Sequence, residues 1–268
     1  MIQNPLSFLN YSFGIYALIS SILAGFSCSL IGSYVVLRKM AFAGAGLSHI
    51  AFAGVAFGFL VGISPLLSAL LFSISAALIL WYFQVKRNLH FDITMGILFA
   101  TSMALAVLFL SLSRTYGATA LSYLFGSPLS VDGSDLFILF LISIAVLLFY
   151  AFFWREIYLV SFSQEIAKAS GYNVELITLS LSILIATVVT LSLKSVGALL
   201  VFSLLVVPSA SAYRISKGYA EYVMYSVLFG ILSGSLGMLV SFALDAPSGA
   251  TITLVSFLLF LISNLYAK

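Results

Sequence analysis

An all-α, polytopic integral membrane protein is the fold class this sequence predicts, on three observations. Hydrophobic residues fill 63% of the 268 positions and charged residues only 7%, with a mean hydropathy of +1.22. A soluble domain carries about 25% charge, so this chain has too few polar side chains to cover a water-facing surface. The apolar residues also come in runs of about 20, long enough to cross the ~30 Å hydrocarbon core as helix. Finally, the lysines and arginines fall singly or in pairs between those runs. Backbone groups in lipid must be satisfied internally, so the runs are helices.

Nine spans are expected, in one transmembrane domain covering residues 1–268. The first is 13–37. The segment before it, MIQNPLSFLNYSF, has no positive region, and no small-residue cleavage site follows a short apolar core, so no removable signal peptide is read. Cys28 lies in this span. As the sole cysteine it has no internal disulfide partner and reads as a small core residue. The second span, 41–61, is rich in glycine and alanine and carries His49. GISP, 62–65, is a tight turn in which Pro65 starts the third span, 64–85. His90 and Asp92 open the fourth, 91–113, with an acidic group at the positive end of the helix dipole. The fifth is 133–154. The sixth, 173–193, turns through LKS, 193–195, into the seventh, 196–213, where Pro208 frees a carbonyl and favours a kink. Spans 220–244 and 248–266 complete the set. Small residues spaced by four, Gly54 and Gly58, Gly230 and Gly234, Ser233 and Gly237, allow close helix contact.

Nine spans put alternate junctions on opposite sides of the membrane. Arg38, Lys39, Lys86, Arg87, Arg155, Lys168, Arg214, Lys217 and Lys268 then share one side, leaving Arg114 and Lys194 on the other. Basic residues favour the cytoplasm, so the N-terminus is expected outside and the C-terminus inside. Two connections are long. The outer one, 114–132, is aromatic and small, in keeping with a helix or re-entrant piece at the interface. The inner one, 155–172, is the most polar internal stretch. In it Ser163 suits an N-cap, Glu165 the helix start and Gly171 the stop. They frame a cytoplasmic helix of about seven residues, which is either a docking knob or an ordinary amphipathic connector.

The chemistry the chain lacks narrows its function. The net charge of +3 comes without a basic run, so no nucleic acid partner is expected. No Gly-Lys dipeptide occurs, hence no phosphate-cradling P-loop. There is neither a His-Glu-x-x-His nor a Cys/His cluster with zinc spacing. Uphill movement would draw its energy from another subunit or from an ion gradient.

An ionisable group at membrane depth is costly and marks function by default. His49 lies about 12 Å from the inner end of its span, near the bilayer midplane. Ala45, Gly46, Ala53 and Ala56 share its helical face and are all small, so the imidazole stands in a notch. It either hydrogen-bonds across the bundle or offers a neutral nitrogen to a passing cation. Imidazole suits zinc and tolerates manganese and iron. Ser48 reads as a packing residue. Asp92 reads as a charge near a helix start or a pathway group, and Asp245, before APSGA, as a solvated loop residue or a cation collector at the entrance. A single midplane imidazole with few helpers suits transit better than storage.

Several ordered stretches resemble the permease subunit of the metal-ion ABC importers, the zinc, manganese and iron family. GSYVVLRKMAFAGAGLSHIAFAGVAFG (32–58) is similar to the family's first-to-second-span signature and FDITMGILFA (91–100) to its fourth-span start. LSYLFGSPL (121–129) is similar to its outer loop, SVGALLVFSLLVVPSASAYR (195–214) to its most recognisable segment and ALDAPSGA (243–250) to its last turn. The resemblance implies a multi-pass protein of the plasma (inner) membrane that pairs with a second copy of itself. It further implies an extracytoplasmic metal-binding protein and a cytoplasmic ABC ATPase, which binds the ATP, so that this chain is a transport subunit, not an enzyme, with no bound cofactor. The ATPase would be gripped through a coupling helix at 163–171, with Ser163, Glu165, Ala167, Lys168 and Gly171. His49 becomes a transient metal-pathway residue. Many family members carry Asp one turn before that His, where this chain has Ala45; the loss of a hard carboxylate puts zinc ahead of manganese, and manganese ahead of iron. Two alternatives remain: a proton- or sodium-driven secondary cation carrier, and an ABC permease for a vitamin or metal chelate. An intramembrane protease is a third rival of a different class.

Overall fold

The computed structural model describes residues 11–87, 89–113, 123, 126 and 131–266, and among these there is no strand. The helices are α1 (Ser12–Leu37), α2 (Phe42–Val61), α3 (Pro65–Arg87), α4 (Phe91–Leu112), α5 (Gly133–Phe152), α6 (Trp154–Phe162), α7 (Gln164–Ala169), α8 (Val174–Val196), α9 (Ala198–Ile215), α10 (Tyr219–Leu244) and α11 (Ser248–Tyr266). Eight of them are long and apolar enough to cross a membrane. The seventh expected span is α9, an 18-residue helix, shorter than the rest. Most of the 114–132 connection lies outside the described residues.

Four local features decide where the helices end. Gly62 takes φ 77, and the Gly62 and Ile63 amides both donate to the Gly58 carbonyl, so the GISP turn forms before Pro65. The turn expected at 193–195 comes later. Leu-Lys-Ser gives a helix no reason to stop, and α8 runs to Val196; the chain breaks at Gly197, whose φ of 85 and ψ of 158 suit glycine alone. Asp132 caps α5 by accepting the Asp135 amide at 2.9 Å, while the Asp135 carboxylate accepts the Asp132 amide at 3.1 Å. The fifth span also ends earlier than expected, at Phe152, and part of the connection read after it is helical. In α6, Ile157, Val160 and Ser161 fall at helical spacing and are buried, while Trp154 and Tyr158 pack their rings on Tyr219 at 4.9 and 5.0 Å. That aromatic anchoring, typical of a membrane interface, lays the segment against the bundle.

The core is built around α1, which packs on α10, α9, α5 and α8. Small residues let the α1 and α10 backbones nearly touch: Gly25 lies against Gly230, and Ser21 against Gly234. Hydroxyls also join α1 to α9 and α10. Ser226 and Ser209 both donate to the Ser29 carbonyl, at 2.8 and 3.2 Å, and Tyr222 donates to the Ser33 carbonyl at 3.0 Å. Bonds of this kind between membrane helices contribute about 0.6 kcal/mol each. Cys28 is fully buried, as expected, with Ser192 as its neighbour. α2 sits to one side of this core, between α3, α4 and α9.

Candidate functional site

Glycines along α2 let three helices grip it. At Gly44, Phe202 of α9 lies 3.2 Å from where a Cβ would stand. At Gly54 the backbone of Ala69 on α3 is closer still, and at Gly58 Pro65 and Ser68 close in. Between these, α4 covers the turn that leads to His49. Met95 is fully buried, and its Cγ and Cε lie 2.8 and 3.3 Å from where a Cβ on Gly46 would stand, with Sδ nearer. The notch that the small residues of α2 open is therefore filled from α4.

His49 is half-buried on this seam. Its ring meets Phe99 of α4 edge-on, with centroids 5.0 Å apart and planes at 88°. Phe99 also packs on Phe42 at 5.4 Å. Phe42 and His49 are two turns apart, about 10 Å along the axis, so the Phe99 ring lies over the intervening turn at Ala45 and Gly46. The Ser48 hydroxyl bonds back to the Ala45 carbonyl at 2.9 Å and is buried, in keeping with a packing role. The His49 Nδ1 is buried and has no hydrogen-bond partner. A neutral imidazole with such a nitrogen can offer it to a cation. Among the described residues no group of three or more His, Cys, Asp or Glu gathers.

Asp92 lies in the first turn of α4, exposed, near the helix start and not against the imidazole. It shares the Met95 and Phe99 stripe, two turns before Phe99. Asp245 is the exposed C-cap of α10 in the left-handed region, φ 52 and ψ 41, a conformation aspartate tolerates better than most residues. Its neighbour Ala246 is held by Ser241 through both amide and carbonyl, at 3.0 and 2.7 Å.

The segment 163–171 folds as a capped helix. The Ser163 hydroxyl accepts the Ile166 amide at 3.3 Å. Ala167 is fully buried, whereas Glu165 and Lys168 are exposed. Gly171, at φ 86, stops the helix: its amide donates to the Lys168 carbonyl at 3.0 Å and that of Tyr172 to the Ala167 carbonyl at 3.1 Å. A cavity of about 500 Å³ beside it is lined by Arg38, Gln84, His90, Glu165, Lys168 and Glu175, among others. The ends of α1, α3 and α7 and the starts of α4 and α8 therefore meet at one end of the bundle.

Three features escaped the sequence reading. Met95 and Phe99 looked like ordinary apolar residues of an apolar span. The third is an ion cluster away from the basic end, where Lys194 pairs with Asp135 and lies 3.9 Å from Asp132. Asp132 is held down at a pKa of about 2, first by the Ser134 hydroxyl, which donates to it at 2.6 Å, then by the Asp135 amide.

Comparison with known proteins agrees with this architecture. The chain is 32% identical over 260 residues to the manganese transport system membrane protein MntC of Listeria monocytogenes, covering 97% of this chain and 92% of that protein. It is 30% identical over 247 residues to the high-affinity zinc uptake system membrane protein ZnuB of Haemophilus influenzae, covering 92% of this chain and 95% of that protein. The solved structure of PsaBC from Streptococcus pneumoniae in complex with Fab superposes with a TM-score of 0.86 at 29% identity, covering 98% of this chain and 95% of that one. The model of the ABC 3 transport family matches residues 10–267, and the chain, a multi-pass protein of the plasma membrane, belongs to that family.

Proposed function

We propose that the chain is the permease subunit of an ATP-driven importer of divalent transition-metal ions, and not itself an enzyme. One observation carries the reading: an imidazole set inside a membrane helix, its Nδ1 buried and unpartnered, on a face of small residues. A group that costs this much to bury and holds the bundle together through no hydrogen bond is best explained as part of a path. Relatives named for manganese and for zinc transport support the substrate class. On donor chemistry zinc comes first, then manganese, then iron.

The remaining parts follow. Basic junctions gathered at one end of the bundle support a cytoplasmic assignment for that end, with the N-terminus outside. A cytoplasmic ATPase grips the 163–171 helix, and an extracytoplasmic binding protein delivers the ion to the other face. A second copy of the chain completes the transporter. ATP binding by the partner switches the dimer between outward-open and inward-open states, and the ion passes His49 in transit. Asp92 and Asp245 are lesser pathway and entrance groups.

The test is accumulation of zinc, manganese and iron in cells expressing the chain with its ATPase and binding protein, wild type beside His49→Ala at equal membrane levels. Loss of uptake in the variant is expected. Full uptake in the variant removes His49 from the path. Uptake that survives an inactive ATPase points to the secondary carrier instead.

A further inference from the structure

We infer that the Met95 thioether is a second donor on the ion path, one helical turn from His49, and that this nitrogen–sulfur pair makes the path favour a borderline metal such as Zn²⁺ over the harder Mn²⁺. The inference rests on the permease reading above and on four observations about one seam.

First, the sulfur is placed by the fold. Met95 is fully buried on α4, and its thioether occupies the space a side chain on Gly46 would take. Any larger residue at 46 would push it away. Second, that space adjoins His49. Residues three apart on a helix have Cβ positions about 5–6 Å apart on one face, so the Met95 sulfur, standing at the missing Cβ of Gly46, and the imidazole share one face of α2 a single turn apart. Third, the His49 nitrogen has nothing else to do: Nδ1 is buried and unpartnered. Fourth, the position one turn before His49, where a carboxylate would supply a hard oxygen, is Ala45, and the ring of Phe99 lies over it.

Donor softness then sets the preference. Thioether and imidazole suit zinc and softer ions, whereas carboxylate and carbonyl oxygens suit manganese. Two neutral donors also hold an ion weakly, as transit requires. The thioether gives a long, polarisable contact that costs nothing when the ion leaves, because an unbound methionine is at home in an apolar seam.

The experiment measures Zn²⁺ and Mn²⁺ affinity of the purified permease–ATPase complex without its binding protein, so that only the permease selects. Wild type, Met95→Leu, Gly46→Ala and His49→Ala are compared, with zinc K-edge X-ray absorption on the wild type. Leucine conserves the volume of methionine, and such swaps usually cost under about 1.5 kcal/mol, so Met95→Leu folds. Its Zn²⁺ affinity is expected to fall roughly tenfold, the lower end of what a lost supporting group costs a metal site, with Mn²⁺ affinity unchanged. Gly46→Ala, which displaces the sulfur without removing it, moves the same way, and the absorption spectrum contains a sulfur scatterer. An unchanged Zn²⁺ affinity in Met95→Leu, or equal loss for both metals, overturns the inference while leaving His49 on the path. Wild-type affinity for both metals in His49→Ala overturns the permease reading at this site as well.

Discussion

Phe99 and His49 meet edge to face across the α2–α4 seam, centroids 5.0 Å apart, and the far side of the same phenyl ring rests on Phe42. One aromatic side chain thus roofs the turn of α2 that holds Ala45 and Gly46. If this ring screens the imidazole, removing it exposes the seam. Phe99→Ala is expected to open the seam. A cysteine placed at Ala45 should react with a water-soluble maleimide severalfold faster in the Phe99→Ala background than with Phe99 present. Cys28 is wholly buried and stays silent. The variant should lose about 1–3 kcal/mol, less than a fully buried Phe→Ala. Equal labelling rates would mean the ring is no barrier.

Gly25 and Gly230 bring the backbones of two core helices into contact. A Cβ on Gly25 would stand 2.9 Å from the Gly230 carbonyl carbon, and one on Gly234 would stand 3.0 Å from that of Ser21. Both obstacles are backbone, which cannot swing aside as a side chain can. Gly25→Ala should therefore destabilise by about 1–3 kcal/mol, the usual range for overpacking, and lower the thermal midpoint of the detergent-solubilised protein. Gly96 is the control: it sits inside α4 with nothing near its missing Cβ, and alanine is the better helix former by up to about 1 kcal/mol. Gly96→Ala should match or exceed wild type.

These contacts also mark what could be read from residues alone. The long helices were legible because lipid permits little else for apolar runs, and the 163–171 helix because Ser163 and Gly171 carry cap chemistry in themselves. The break at Gly197 was misplaced onto Leu-Lys-Ser because polarity suggested a surface turn, whereas conformation decided it. α6 was missed for the opposite reason: its polar residues masked the helical spacing of Ile157, Val160 and Ser161. His49 announced itself as a lone imidazole. Its surroundings did not, since Met95 and Phe99 are apolar residues in an apolar helix, and no periodicity says which turn of α2 they face. Lys194 and Asp135 likewise pair across 59 residues of chain, beyond any local pattern.

Asp132 yields a pH prediction. Its folded pKa, about 2, is below the ordinary value of 3.8. A depressed carboxylate adds stability above the unfolded value and loses it as the pH falls toward the folded one. Asp132→Ala should therefore lower the thermal midpoint at neutral pH, and the gap from wild type should narrow between about pH 4 and pH 2. A gap that stays constant would assign the effect to helix capping alone.

The capped helix at 163–171 gives the sharpest test of coupling, because its two ends fail differently. Ser163→Ala removes the acceptor for the Ile166 amide, at a typical cost of about 1 kcal/mol; the helix frays but re-forms when a partner docks on it. Gly171→Val puts a branched side chain at φ 86, where left-handed backbone costs about 1–2 kcal/mol even for unbranched residues, and no partner relieves that strain. The Gly171 stop also directs the chain into α8, whose first turn holds Glu175 in its ion pair with Lys86 at 3.0 Å. If an ATPase drives transport through this helix, Ser163→Ala should lower uptake modestly with ATPase co-purification intact. Gly171→Val should lose both at an unchanged amount of permease in the membrane. If both variants transport at the wild-type rate, the segment is only a connector, and the ATPase engages another part of the basic end.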